Sequence, residues 1–238
     1  LLYLTKKLIP VQRKDWGWLC VFGLFTSFTQ APLFYAFNHM DIGSATLIFF
    51  VSMLLTMYLM GIFFFKEKLT VTVGVAFVLA CIGLYSIFSF SIAAFAVLAA
   101  ALAALNGIAS GGEVSSSKKL SGDYSPLYIT WWSWIFVLLT NAPLSFLLGE
   151  SQLAPAFDTT WMFQLGYSLA SLFGFYFIIA GLKYVDASIG GLLGLLEVIF
   201  AIAFGIFLFG ETLTGQAIVG SVLIFSAAAL PHIVGLLN

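Results

Sequence analysis

The most constraining feature of this chain is an apolar stretch from Asp186 to Thr214 that carries one carboxylate, Glu197, near its middle. About 20 apolar residues in a helix cross a bilayer, so the stretch is long enough to span one. A charge at mid-membrane costs a few kcal/mol or more, so an acid there indicates a pathway or a contact. Small residues recur around it at helical spacing, which predicts a closely approached helix face: Gly190, Gly194, Ala201 and Gly205.

The composition predicts a polytopic membrane protein. Of the 238 residues, 62% are hydrophobic and 8% are charged, and the mean hydropathy is +1.10. A soluble domain cannot bury that much apolar surface. Basic residues occur only in short clusters beside apolar runs, so no nucleic-acid partner is expected. Eight segments have helix length and lack the period-2 alternation of a membrane barrel. They are 16–37, 42–65, 69–90, 92–116, 126–148, 160–182, 187–209 and 213–235.

The distribution of basic residues predicts the orientation in the membrane. If the N-terminal loop lies on one side and the chain then crosses eight times, all nine Lys and Arg residues lie on that first side. They are Lys6, Lys7, Arg13, Lys14, Lys66, Lys68, Lys118, Lys119 and Lys183. The positive-inside rule assigns that side to the cytoplasm. We therefore expect a multi-pass protein of the inner (plasma) membrane, with the N-terminal loop and the C-terminus cytoplasmic.

The chain contains an internal repeat. YAFNHMDIGSA at 35–45 matches AGLKYVDASIG at 180–190, an offset of 145. FFKEKLT at 64–70 matches LFGETLT at 208–214, an offset of 144. The two copies begin five helices apart, which is an odd number, so they are inserted in opposite orientations.

Inverted repeats are typical of secondary transporters, whose substrate site lies at the repeat interface near the midplane. We expect a single membrane domain with a first, incomplete repeat at 1–90 and a second repeat at 91–235.

These residues, together with KDWGWL at 14–19 and LLEVIFAIAFGIFLFGETLT at 195–214, resemble the EamA-type permeases of the drug/metabolite transporter superfamily. The resemblance implies an all-α fold of ten helices in two inverted five-helix repeats, with a central cavity that carries small metabolites such as amino acids. It covers the whole chain as helices three to ten, and 1–4 would end helix two, so we expect the first two helices to be missing. The family often has proline directly after the mid-helix Glu, whereas this chain has Val198, so no proline break is assured.

Glu197 is the first candidate for the substrate site, and two roles stay open for it. It either binds a cationic group or a proton in a cavity, or it joins two helices through hydrogen bonds. Its counterpart in the first repeat is Met53. Other polar residues at comparable depth are candidates for cavity lining or for interhelical hydrogen bonds. They are Thr26, Gln30, Asn106, Trp132, Tyr167 and Ser171.

Three further acids lie near helix ends. Glu67 and Glu211 are predicted structural caps, because a carboxylate there can accept from the N-terminal N–H groups of the next helix. Glu113 lies a few residues before Lys118 and Lys119, and we expect it at a solvated helix end rather than in a gate.

Enzymes of the membrane interior are not expected. The string nearest to a GxSG serine motif surrounds Ser110, both histidines lie near segment ends, every Asp is in a loop, and no HExxH occurs.

No metal or cofactor is predicted. The expected partners are a small-molecule substrate and the lipid bilayer, and protons as coupling ion and a homodimer are both compatible with this interpretation. A flippase for lipid-linked substrates and a degenerate or structural membrane protein remain alternatives.

Overall fold

The computed structural model describes residues 10–68, 70–88, 97–149, 154, 156–210 and 212–237. Over these residues the chain forms α-helices and one short 3-10 turn, without strands, which confirms the predicted all-α polytopic fold. The ten α-helices of this described part are α1 (Trp16–Thr26), α2 (Ala31–His39), α3 (Ile42–Phe65), α4 (Val71–Phe88), α5 (Val97–Leu120), α6 (Pro126–Leu147), α7 (Thr159–Gly181), α8 (Ala187–Gly194), α9 (Leu196–Phe209) and α10 (Gly215–Leu237). Within the same residues, eight helical spans are long and apolar enough to cross a membrane.

Two of those spans are broken, whereas the sequence predicted continuous segments there. The first span divides into α1 and α2, and Pro32 lies in the first turn of α2, where proline favours a helix start. The last residue of α8 is Gly194, and a tight hydrogen bond then runs from the Val198 N–H to the Leu195 carbonyl oxygen at 3.0 Å. The second break therefore needs no proline, since it follows a glycine-rich turn that forms a helix poorly.

The end of α5 also differs from the prediction. The sequence suggested a connection from Ser117 to Ser125, but α5 continues through Lys118 and Lys119 to Leu120. The extra turn places two lysines and the preceding residues on a helix that is packed against its neighbours, rather than in a loop.

Glycines set the closest helix contacts. A Cβ atom added to Gly111 on α5 would lie 2.6 Å from the Met53 carbonyl oxygen on α3. A Cβ atom added to Gly83 on α4 would lie 2.9 Å from the Gly220 carbonyl oxygen on α10. Only a residue without a side chain permits such backbone contact. The α3/α5 and α4/α10 pairs are thereby held together, and the largest apolar core lies between α3, α4, α8, α9 and α10.

Helix α7 lies at the edge of this bundle. It packs against α6 and α5, and Ile179 is its one buried residue among those the structure describes. Several of its residues line the cavities described next.

Candidate functional site

Polar side chains meet in a cavity of about 300 Å³ between α5, α6, α7 and α9, beside the break that follows α1. We call it the acidic cavity. Its polar lining residues are Thr29, Gln30, Glu113, Ser133, Tyr167, Ser171 and Glu197. No Lys, Arg or His occurs among the described residues that line it. The sequence predicted four of these side chains as site candidates, and the fold brings all four together: Gln30, Tyr167, Ser171 and Glu197.

Glu113 is buried in the wall of this cavity. Its side chain comes from α5, and the residue is only 8% exposed. Its Oε1 atom accepts a hydrogen bond from the Thr26 hydroxyl at 3.0 Å and another from the Ser133 hydroxyl at 2.7 Å. The two hydroxyls come from α1 and α6, so the carboxyl group connects three helices.

The expectation of a solvated Glu113 was therefore wrong, and Glu197 is not alone as an acid within the spans. The sequence carried a signal for this burial. Gly111 and Gly112 directly precede the acid, and a Cβ atom added to Gly112 would meet the ring of Phe25 at 2.5 Å. Small residues next to an acid predict close helix approach, and hence burial of the acid itself.

Glu197 lies on α9, two residues after the break at Leu195. It lines the acidic cavity and two adjoining cavities, one of about 270 Å³ and one of about 540 Å³. Its carboxylate makes no hydrogen bond and no ion pair with any residue that the structure describes. Both roles assigned to it from the sequence remain predictions, and the residue lines three cavities.

A fourth cavity, of about 500 Å³, adjoins the acidic cavity and shares Thr29, Gln30 and Tyr167 with it. Asn106 is among its lining residues and is fully buried, and we call this space the Asn106 cavity. Its Nδ2 atom donates to the Phe28 carbonyl oxygen at 3.0 Å, while its Oδ1 atom has no hydrogen-bond partner within the described part of the chain. Buried polar atoms are rarely left unpaired, so this acceptor calls for a donor that the described residues do not supply.

Two predicted site residues, Thr26 and Trp132, lie outside all four cavities. Thr26 is fully buried and acts through Glu113, since its hydroxyl donates to the carboxyl group and to the Phe22 carbonyl oxygen. Trp132 packs into an aromatic cluster with Tyr128 and Phe136, and its indole N–H has no partner among the described residues. Thr26 is thus a supporting residue of the site.

Glu67 forms a separate cluster where α3 ends and α8 begins. Its Oε1 atom accepts from the Ala187 N–H at 2.7 Å and from the Lys118 Nζ atom at 3.1 Å. Its Oε2 atom accepts from the Ser188 N–H at 3.2 Å and from the Ser188 hydroxyl at 2.9 Å. Lys118 also lies 3.8 Å from Asp186. We call these five residues the Glu67 cluster.

The helix that Glu67 caps is α8, far along the chain, and not the next helix α4 as the sequence suggested. Desolvation by burial raises the pKa of Glu67, but the hydrogen bonds from Ala187, Ser188 and Lys118 outweigh it, so its pKa lies below the ordinary value. The partner acid in the other repeat, Glu211, lies outside the described residues.

The lining of these cavities is polar and aromatic. Among the described residues, no three His, Cys, Asp or Glu side chains lie close enough to hold a metal ion. The cavities instead combine carboxyl, hydroxyl and amide groups with aromatic walls, which is the usual lining of a small-molecule site.

Comparison with known proteins places the chain among transporters. The profile of the EamA-like transporter family matches residues 1–89 and 93–231. One solved crystal structure of a protein shares the fold, with a TM-score of 0.78 and 17% sequence identity over 97% of this chain and 82% of that one. No curated protein matches the sequence.

Proposed function

Since the chain belongs to the EamA-like transporter family, we propose that it moves a small organic metabolite across the membrane by alternating access. The observation that carries this proposal is the acidic cavity, in which Gln30, Tyr167, Ser171 and Glu197 surround one space large enough for a small solute.

The position of the cavity supports transport. Gln30 comes from the first of the two stretches related by the sequence repeat, and Tyr167, Ser171 and Glu197 come from the second. We infer that 1–90 and 91–235 are inverted repeats and that their halves rock around this cavity, as in other secondary transporters.

The Glu67 cluster supplies a closure for one end of that movement. It joins the end of α3 in the first stretch to the start of α8 in the second, through a buried carboxylate and Lys118. The neighbouring lysines lead us to infer, by the positive-inside rule, that this end is cytoplasmic. Opening towards the cytoplasm then requires Glu67 to leave the N-terminus of α8.

Glu197 is our candidate for proton coupling, because it faces the cavity without a partner among the described residues. The test uses the purified protein in proteoliposomes, with a panel of labelled amino acids and related metabolites. For a solute that is taken up, Glu197→Gln is expected to abolish the pH dependence of net uptake, while exchange of labelled for unlabelled solute persists at solute concentrations that saturate the variant.

The matched control is Asp123→Asn, which removes a carboxylate from an exposed surface pair with Lys14. It should retain the wild-type pH dependence. An unchanged pH dependence in Glu197→Gln would remove the coupling role, and absence of uptake for every solute in the panel would contradict transport itself.

A further inference from the structure

We propose that the acidic cavity selects a solute with a protonated amine and no carboxylate, and that the ammonium group binds between Glu113 and Glu197. This inference rests on the proposed transport function and specifies its substrate class.

The charge of the acidic cavity favours a cationic ligand. Two carboxyl groups line one space, and no described residue lining that space can supply a positive charge. The carboxylate of Glu67, in contrast, has protein partners. It accepts hydrogen bonds from the Lys118 Nζ atom at 3.1 Å and from an N–H group of α8. Glu113 is buried without a charged partner among the described residues. A buried carboxylate of this kind is costly, and a cationic ligand removes that cost.

The geometry of Glu113 leaves one oxygen for the ligand. Both protein hydroxyls, from Thr26 and Ser133, donate to Oε1. No described residue donates to Oε2. The hydroxyls therefore fix the orientation of the carboxyl group while half of its acceptor capacity stays open.

Asn106 provides an independent observation in the adjoining cavity. The residue is fully buried, its amide orientation is set by the bond from Nδ2 to the Phe28 carbonyl oxygen, and its Oδ1 acceptor is unpaired within the described residues. An acceptor of this kind pairs with an N–H or O–H group of a solute and repels a carboxylate. A solute that reaches from the acidic cavity into the Asn106 cavity is therefore expected to carry a donor at its far end.

The cavity walls fit an aromatic or apolar body between these polar ends. Trp134, Tyr167 and Phe175 line the acidic cavity, and Phe34, Phe37 and Phe49 line the Asn106 cavity. Aromatic faces attract a desolvated ammonium group and pack against a flat solute. The predicted class is thus a small amine with an aromatic or alkyl body and a hydroxyl or amide donor.

Three matched probes separate the features of this class. Tyramine has an ammonium group and a phenol donor, 4-ethylphenol lacks the amine, and tyrosine adds a carboxylate. Binding is measured on the purified full chain in detergent. We expect tyramine to bind at least 10-fold more tightly than either of the other two, and Glu113→Gln and Glu197→Gln each to weaken tyramine binding at least 10-fold.

Glu113→Gln is the informative substitution because a glutamine Oε1 can still accept both hydroxyl hydrogen bonds, so the fold keeps its contacts. Asp123→Asn, which removes a negative charge from the exposed surface, should leave tyramine binding unchanged. Equal affinity for tyramine and 4-ethylphenol, or tyramine binding that neither Gln variant alters, would overturn the inference.

Uptake of the same probes into proteoliposomes separates this inference from the proposed function. Preference for tyrosine over tyramine, or failure of tyramine to bind while another labelled metabolite is accumulated, refutes the amine class and leaves transport standing. If no solute of the wider panel is accumulated, the transport function fails as well.

Discussion

The hydrogen-bond partners of the carboxylates differ between the Glu67 cluster and the acidic cavity. Glu67, where α3 ends and α8 begins, accepts four hydrogen bonds from three residues, and one of these donors is the cation of Lys118. In the acidic cavity, Glu113 receives two neutral hydroxyls, and Glu197 receives no donor from the described residues. The carboxylate of Glu67, which holds α3 and α8 together, is satisfied by protein donors, whereas the carboxyl groups of Glu113 and Glu197 keep free acceptor capacity for a ligand or a proton.

This difference teaches how to separate structural from functional acids in a membrane protein. The cost of an acid in an apolar environment is met either by the protein itself or by a ligand or proton that comes and goes. On that criterion, the effects of substitution should fall on stability at Glu67, on both stability and ligand binding at Glu113, and on ligand binding alone at Glu197.

The largest effect on stability is expected for Glu67→Ala. The substitution leaves Lys118 without its closest partner and the first N–H groups of α8 without acceptors, so the free energy of unfolding should fall by about 3 kcal/mol. The measurement is denaturant unfolding of the purified protein in mild detergent. Asp123→Ala removes an exposed pair with Lys14 and should cost less than about 1 kcal/mol. Equal losses in the two variants would refute a structural role specific to Glu67.

A smaller loss is expected for Glu113→Ala. Ser133 then loses the acceptor of its buried hydroxyl, while Thr26 keeps its bond to the Phe22 carbonyl oxygen at 2.8 Å. An orphaned buried hydroxyl costs about 1–3 kcal/mol, whereas Glu113→Gln retains the acceptor and should cost less than about 1 kcal/mol. The same unfolding assay compares the two, and a Gln variant as unstable as the Ala variant would show that the charge of Glu113 holds the helices together.

The pH dependence of stability should also trace to Glu67. The pKa of Glu67 in the folded protein lies below its ordinary value. Its contribution to stability is therefore fully present above the ordinary value of about 4.3 and is lost as the pH falls through the folded pKa. Wild-type stability should therefore decline in this acidic window more steeply than that of Glu67→Gln. Parallel profiles for the two proteins would contradict the assignment.

The smallest effect is expected for Glu197→Gln. Since no described residue bonds to this carboxylate, its free energy of unfolding should change by less than about 0.5 kcal/mol while ligand binding is weakened. Thermal unfolding with and without ligand measures both effects. A large loss of stability without ligand would favour the other role predicted from the sequence, a contact between helices.

The sequence predicted the spans well and the contacts between them poorly. Apolar length alone located the eight helical spans of the described residues, because a bilayer imposes that length on any chain. Segment length could not predict the two breaks. The break in the first span has a local signal in Pro32, whereas the break at Leu195 has only a glycine-rich turn.

Contacts between distant helices explain the remaining differences. Glu67 was predicted as a cap, but its actual partner lies 120 residues along the chain, at Ala187, and only the packing of α3 against α8 brings the two together. The exposure of Glu113 was predicted wrongly because it lies only a few residues before Lys118 and Lys119, which suggested a solvated helix end. Its burial depends instead on the packing of α1 and α6 over it. Gln30, Tyr167 and Ser171 were proposed because polar side chains deep in apolar segments indicate a contact or a cavity; the three line one cavity, and their role in substrate binding stays a prediction.

The central claim is that the acidic cavity is the solute pathway, and filling it is the most direct test. Gly174 lines the cavity on α7, and a Cβ atom at this position would have open space around it. Gly166 on the same helix has equally open space but lines none of the cavities described above. In proteoliposomes, Gly174→Leu should reduce uptake of a transported solute at least 10-fold, and Gly166→Leu should leave it near wild type. Equal uptake by the two variants would contradict the account.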